Sequence, residues 1–281
     1  MKLDGGTFLL QWAAGGLLFA WVTTRRREVS LGYGWLIRIV FGFMALGGFA
    51  VLLADGHGFA AACALLCVAA AAFALAVSVV RRKAGVQGRE MLRAARRARV
   101  AEMIGREATV AAATDAPEFP PVLDLFAPAF GFIGLLACAQ FAGGPYLLAA
   151  ARLLIGAAFL GSVSDAMLLG HWYLVQPGLP RDAVKELTMW TAMMWPLEVA
   201  VFLWPTGMVQ VINGVIDDGY QGLLGWIWVA CAVSTIVLVS LTVAALRERF
   251  YSAVMAATGL LYLAILTAFG TDLLARAVLR P

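Results

Sequence analysis

The sequence predicts an all-α integral membrane protein of eight transmembrane helices, with both termini on the outer side. Three observations carry that expectation. Of 281 residues, 62% are hydrophobic and only 14% charged, and the mean hydropathy is +0.86, more apolar than a soluble core can hide. The apolar residues fall into runs near the length of about 20 residues that a helix needs to cross a bilayer. The basic residues collect between alternate runs. The same composition excludes a disordered chain, which is poor in apolar residues and rich in charge.

The first run, 8–24, follows Lys2 and Asp4 and leads into Arg25, Arg26 and Arg27 without a small-residue cleavage site. It is read as a retained first helix, not a signal peptide. Runs 35–54 and 59–80 complete the first three spans, with small-residue stretches at 42–48 and 60–72 suited to close helix packing. Residues 81–124 are the one sizeable extramembrane piece. Their first part, RRKAGVQGREMLRAARRARVAEMIGRE, carries nine basic residues against three acidic ones. Apolar residues recur there at roughly helical spacing. This predicts a helix lying in the cytoplasmic interface, with Arg81, Arg82, Arg93, Arg96 and Arg97 on lipid phosphates. A partner-docking surface is the alternative. The proline-rich, acidic ATDAPEFPPVLD that follows ends such a helix and leads back to the membrane.

Runs 125–141, 146–175, 187–211, 223–246 and 250–274 supply five more spans. Two of them, 146–175 and 187–211, exceed the length required, which implies tilt, a kink or an extension. The chain is therefore expected to form one polytopic domain: 1–80 with helices one to three, 81–124 as the basic segment and linker, 125–281 with helices four to eight. No internal repeat marks the inverted halves of many transporters.

Sixteen basic residues fall on one side of this arrangement and four, Lys2, Arg152, Arg276 and Arg280, on or near the other. Positive charge stays in the cytoplasm, so the N-terminus and C-terminus are placed outside. Lysine is rare and alanine and glycine abundant, a bias that suits a high-GC prokaryotic genome and hence a bacterial inner membrane. The net charge of +4 matches anionic lipid as partner rather than nucleic acid. Cys63, Cys67, Cys138 and Cys231 all sit in apolar runs, which implies no disulfide framework.

An ionisable residue inside a span is expensive and marks a functional site by default. Asp165 and Glu198 qualify. Asp165 is flanked by Gly161, Ser162 and Ser164, expected to give close helix contact and hydroxyl partners. His171 is six residues further on, about 120° around the helix, so the two do not form one ligand pair. It is read either as an interfacial residue or as a donor to a quinone head group or proton relay. Glu198 is placed near mid-membrane between Pro196 and Pro205, which remove backbone hydrogen bonds and predict a kinked helix. Arg38 lies at a depth like that of Asp165, and an Arg38 to Asp165 pair is the expected contact. Arg152 is ambiguous between pairing and snorkelling. Asp272 and Arg276, four apart, are expected to form a local surface pair.

The two histidines, His57 and His171, open and close different helices at opposite ends. They cannot share one haem, so a bis-histidine haem is not expected. Cys63 and Cys67 lack a neighbouring histidine, and no metal site is expected from them. Phosphate-loop, dinucleotide-binding and hydrolase motifs do not occur, so the chain is not expected to be an enzyme on its own. The function expected is that of a membrane subunit or accessory of a larger respiratory complex, handling quinone or protons around Asp165, His171 and Glu198 and bound to other membrane subunits or to itself. A proton-coupled permease for a small solute is the alternative, and a purely structural scaffold the third.

Overall fold

The computed structural model describes residues 4–86, 94, 98–99, 103, 117–176, 179–204, 207–248 and 250–279. Among them every regular element is helical, and no strand occurs. The helices are α1 (Gly5–Thr24), α2 (Leu31–Ala54), α3 (Gly58–Val80), α4 (Phe126–Cys138), α5 (Tyr146–Val175), α6 (Asp182–Leu203), α7 (Met208–Ile212), α8 (Leu223–Arg247) and α9 (Tyr251–Val278). Short 3-10 turns at Arg81–Ala84 and Pro121–Leu125 flank the basic segment. Most of that segment, including Arg93, Arg96 and Arg97, lies outside the described residues.

Seven helical stretches are long and apolar enough to cross a membrane: α1, α2, α3 with its 3-10 extension, the 3-10 turn with α4, α5, α8 and α9. The chain is a multi-pass helical membrane protein by that measure. Hydrocarbon offers backbone groups no partner, so a helix that satisfies its own N–H and C=O groups is the form these runs must take. Asp4 starts α1 by accepting from the backbone N–H of Thr7 at 2.7 Å, a cap that carries the helix three residues beyond its apolar run. The consecutive glycines Gly143 and Gly144, at φ +85 and +79, form the left-handed turn before Pro145 that sends α5 back across the bundle.

α6 differs from its expected span. It has 22 residues, yet its first turns hold Asp182, Lys185 and Glu186, so it does not reach the apolarity of the other seven. Its far end is a break instead of a kink. Trp204 is extended (φ −128, ψ 153), the conformation favoured before a proline, and the chain resumes as the five-residue α7. Pro196 stays inside the helix.

α1 and α5 form the centre. In each, 67% of the apolar window is buried, against 28–39% in the other five candidate spans. α1 packs on α2, α4 and α5, α3 bridges α2 and α4, and α6 and α9 cover α5, with α8 outermost against α9. The α1–α5 crossing is close enough that a Cβ on Gly15 would stand 1.8 Å from the Ala157 carbonyl oxygen, and one on Gly161 2.2 Å from the Gly15 carbonyl carbon. Across the helices, indole N–H groups find polar partners: Trp12 donates to Ser164 and Trp35 to Ser78, each at 2.9 Å. Trp195 and Trp228 donate to the carbonyls of Ala232 and Thr271, also at 2.9 Å.

One end of the bundle gathers the basic residues. Arg25 and Arg26 of the α1–α2 loop both pair with Glu186 of α6, and Arg27 with Glu118 of the linker at 2.6 Å. Arg181 donates to the Glu248 and Phe250 carbonyls of the α8–α9 turn.

Candidate functional site

Asp165 sits nineteen residues after Tyr146 and ten before Val175, deep in the longest helix. It is 0% exposed, and neither carboxylate oxygen has a hydrogen-bond partner among the described residues. The hydroxyls expected to serve it are turned elsewhere. Ser162 and Ser164 donate back to the carbonyls of Phe159 and Leu160 on their own helix, and Tyr33 of α2 donates at 3.3 Å to the backbone carbonyl of Asp165, not to its side chain.

Arg38 does not pair with Asp165. Its Nε and Nη2 donate to the two oxygens of Asp124, both at 2.7 Å. Asp124 also accepts from Thr24 at 2.9 Å, and the Phe119 ring lies 4.6 Å from the guanidinium carbon. The contact expected from depth alone is overturned because Asp124, assigned by sequence to the linker, is itself 4% exposed and reaches the guanidinium as a fork that matches its two donors. The pair closes the linker onto α1 and α2, beside a pocket lined by Arg27, Ser30, Gly34 and Glu118.

A second polar centre lies at the opposite end. Glu198 is not central in its helix: α6 ends at Leu203, five residues on. Its electrostatic neighbours are Asp272, Arg276 and Arg152. Asp272 and Arg276 do pair, but as a buried unit and not a surface one, 0% and 2% exposed. Arg276 donates from Nε to Oδ2 at 2.7 Å and from Nη2 to Oδ1 at 2.8 Å. Gln11 donates to the same Oδ1 at 3.4 Å. Arg152 donates from Nε to the Val201 carbonyl at 2.8 Å, and it shares the Phe202 ring with Arg276 at 5.4 and 5.9 Å. Gly156 on α5 makes this convergence fit, since a Cβ there would stand 2.3 Å from Gln11 Nε2.

His171 is exposed on α5, whereas Asp165 on the same helix is buried. Tyr262 of α9, 43% exposed, places its hydroxyl 3.3 Å from His171 Nδ1. One of these groups donates to the other, which leaves the imidazole Nε2 outside that contact. Of the arginines assigned to lipid, Arg81 spends one donor on the Glu118 carbonyl at 2.9 Å, and Arg82 is exposed. His57 stacks on Phe141 at 3.5 Å. Among the described residues no three His, Cys, Asp or Glu side chains are placed to hold a metal ion.

Sequence reasoning missed Gln11, Arg152, Asp272, Arg276 and Tyr262 as members of these sites. The available signal was depth. Gln11, Arg152, Glu198 and Asp272 each lie five or six residues from the same end of their helices, about 9 Å at 1.5 Å per residue. No family model, curated protein or solved structure matches the chain.

Proposed function

We propose that this chain is an integral membrane subunit or accessory of a larger complex that moves protons in connection with quinone chemistry. The observation that carries the reading is Asp165: a fully buried carboxyl without a hydrogen-bond partner among the described residues, in the most enclosed part of the bundle. A group so placed costs several kcal/mol, on the order of 2.5–3.5 by insertion measurements. A packing role does not require that cost, whereas a group that takes up and releases a proton does.

The exposed His171 and Tyr262 supply a hydrogen-bonding pair on the bilayer-facing surface, suited to a quinone head group arriving from the lipid. In this reading α6 is the eighth span, and the basic end faces the cytoplasm of a bacterial inner membrane with N- and C-termini outside. Arg81 and Arg82, with Arg93, Arg96 and Arg97, meet the inner-leaflet headgroups. The partners are membrane lipids together with other membrane subunits or further copies of the chain.

The test pairs gentle extraction with one substitution. Wild type is expected to copurify with other subunits or quinone, and inverted native-membrane vesicles supplied with quinol and O2 as the electron acceptor are expected to acidify. Asp165→Asn should abolish acidification at an unchanged level of inserted protein. Full acidification by Asp165→Asn would make the carboxyl structural and end this reading. A homo-oligomer free of quinone and partners would instead assign the same carboxyl to a proton-coupled permease.

A further inference from the structure

We propose that Gln11, Arg152, Glu198, Asp272 and Arg276 form a water-bearing proton-exchange site at the end of the bundle opposite Arg38, with Glu198 the group that takes up and releases the proton. The inference deepens the proton-handling reading and rests on it. It stands on an inventory of donors and acceptors. Among the described residues, Glu198 Oε1 and Oε2, Gln11 Oε1 and Arg152 Nη2 are buried without a hydrogen-bond partner. Their residues are 0%, 0% and 6% exposed. Each orphan costs about 1–3 kcal/mol if it stays unpaired, so three acceptors and one donor converging from α1, α5 and α6 call for an occupant.

Charge decides what occupies it. Arg152 and Arg276 balance Glu198 and Asp272 when both carboxyls are ionised, so an uncharged occupant suits that state, and proton uptake by Glu198 leaves one net positive charge shared by the two guanidinium groups. Each water brings two donors and two lone pairs without charge and makes about three bonds in such sites, so two waters supply the three donors and one acceptor that the cluster lacks. Asp272 is not the exchanging group, because both its oxygens are held by Arg276. Arg152 is fixed by the Val201 carbonyl. Within the cluster the Glu198 carboxyl is the one not forked by a guanidinium, and its side-chain neighbour is the Asp272 carboxyl.

The ionisable groups around it are Arg152 from α5 and Asp272 and Arg276 from α9, with the uncharged Gln11 from α1. α7 has no ionisable residue, and α8 has only Cys231 and, at its opposite end, Arg247. On uptake, an O–H bond of a hydronium ion breaks as the Glu198 O–H forms, leaving water. Release reverses the step, and both guanidinium groups keep their protons throughout. Protonated Glu198 gains a donor beside the Asp272 carboxylate. About 9 Å of helix separates the cluster from the chain's turns at that end, while Asp165 lies thirteen residues further along α5 from Arg152.

Infrared difference spectra of the full chain in lipid vesicles, recorded as pH is stepped in H2O and D2O, test the assignment. A protonated-carboxyl band should grow on acidification, shift in D2O within seconds, vanish in Glu198→Gln and return displaced in Glu198→Asp. Asp165→Asn should leave this band in place, which separates the site from the fate of the Asp165 reading. A band unchanged by Glu198→Gln, or one that does not shift in D2O, would overturn the proposal.

Discussion

Arg38 and Asp124, 4% exposed each, show how strongly a buried ion pair depends on both members. Their forked contact offsets two desolvation penalties at once. Arg38→Ala should therefore leave Asp124 as an uncompensated buried charge and cost about 3–5 kcal/mol. Replacing both by leucine should cost far less. Equilibrium unfolding in mixed micelles measures both variants, and equal losses would show that the pair is not coupled. Asp218 is a contrasting acid in a loop, only partly buried. Desolvation beside the chain pushes its carboxyl up and is outweighed by the backbone N–H groups of Gly222, Tyr220, Leu224 and Gly225, which hold it below the ordinary aspartate range. Tyr220 N donates at 2.9 Å and Gly222 and Leu224 at 2.8 Å. A depressed carboxyl stabilises the loop above its unfolded value of about 3.9 and ceases to do so as pH falls through the lower folded value. Proteolysis of the α7–α8 loop by an acid protease should accelerate below about pH 4 in wild type. Asp218→Ala should be cut readily even above that, and identical pH profiles would contradict the loop assignment.

At the scale of the element, the close α1–α5 crossing depends on two residues without side chains. Gly15→Ala places a methyl 1.8 Å from a backbone oxygen, so the two central helices must separate, at about 1–3 kcal/mol of overpacking. Gly259→Ala meets nothing within 4 Å and should leave stability unchanged or slightly raised through helix propensity. A thermal-stability series on the two variants checks the contrast, and similar melting shifts would mean the crossing tolerates separation. Hydropathy made most of these elements legible: α5 has its expected bounds, 146–175, and α3 and α8 lie within one residue of theirs. α6 was misplaced because its acidic and basic first turns read as loop, while the apolar residues beyond Trp204 read as a continuing span. Asp165 was legible as a buried carboxyl because burial follows from its own neighbours in sequence. The Glu198 cluster was not, since Gln11 and Asp272 meet across 261 residues and periodicity in one span does not say which helix it faces.

At the scale of the whole molecule, the two ends of the bundle have different electrostatic characters. The basic end holds Arg25, Arg26 and Arg27, Arg81, Arg82 and Lys83, Arg181, Lys185 and Arg247. Several are partly neutralised by Glu186 and Glu118, but pairs this exposed contribute only about 0–1 kcal/mol and leave the excess charge in place. The opposite end exposes Asp55 and Asp217, and its arginines 152 and 276 are committed inside the cluster. Because α1 leads toward the basic end and α9 away from it, both described termini reach the opposite end. The proposal that α6 is the eighth span gives an even number of crossings, consistent with both described termini at one end. A membrane-impermeant maleimide applied to intact cells distinguishes the orientations. Asp55→Cys and Asp217→Cys should label at once, and Lys83→Cys only after permeabilisation. The native thiols Cys63, Cys67 and Cys138 are buried and should contribute little background. Labelling of Lys83→Cys in intact cells, with Asp55→Cys protected, would invert the molecule. The Glu198 cluster would then face the cytoplasm, and the proton path proposed here would run in the opposite sense.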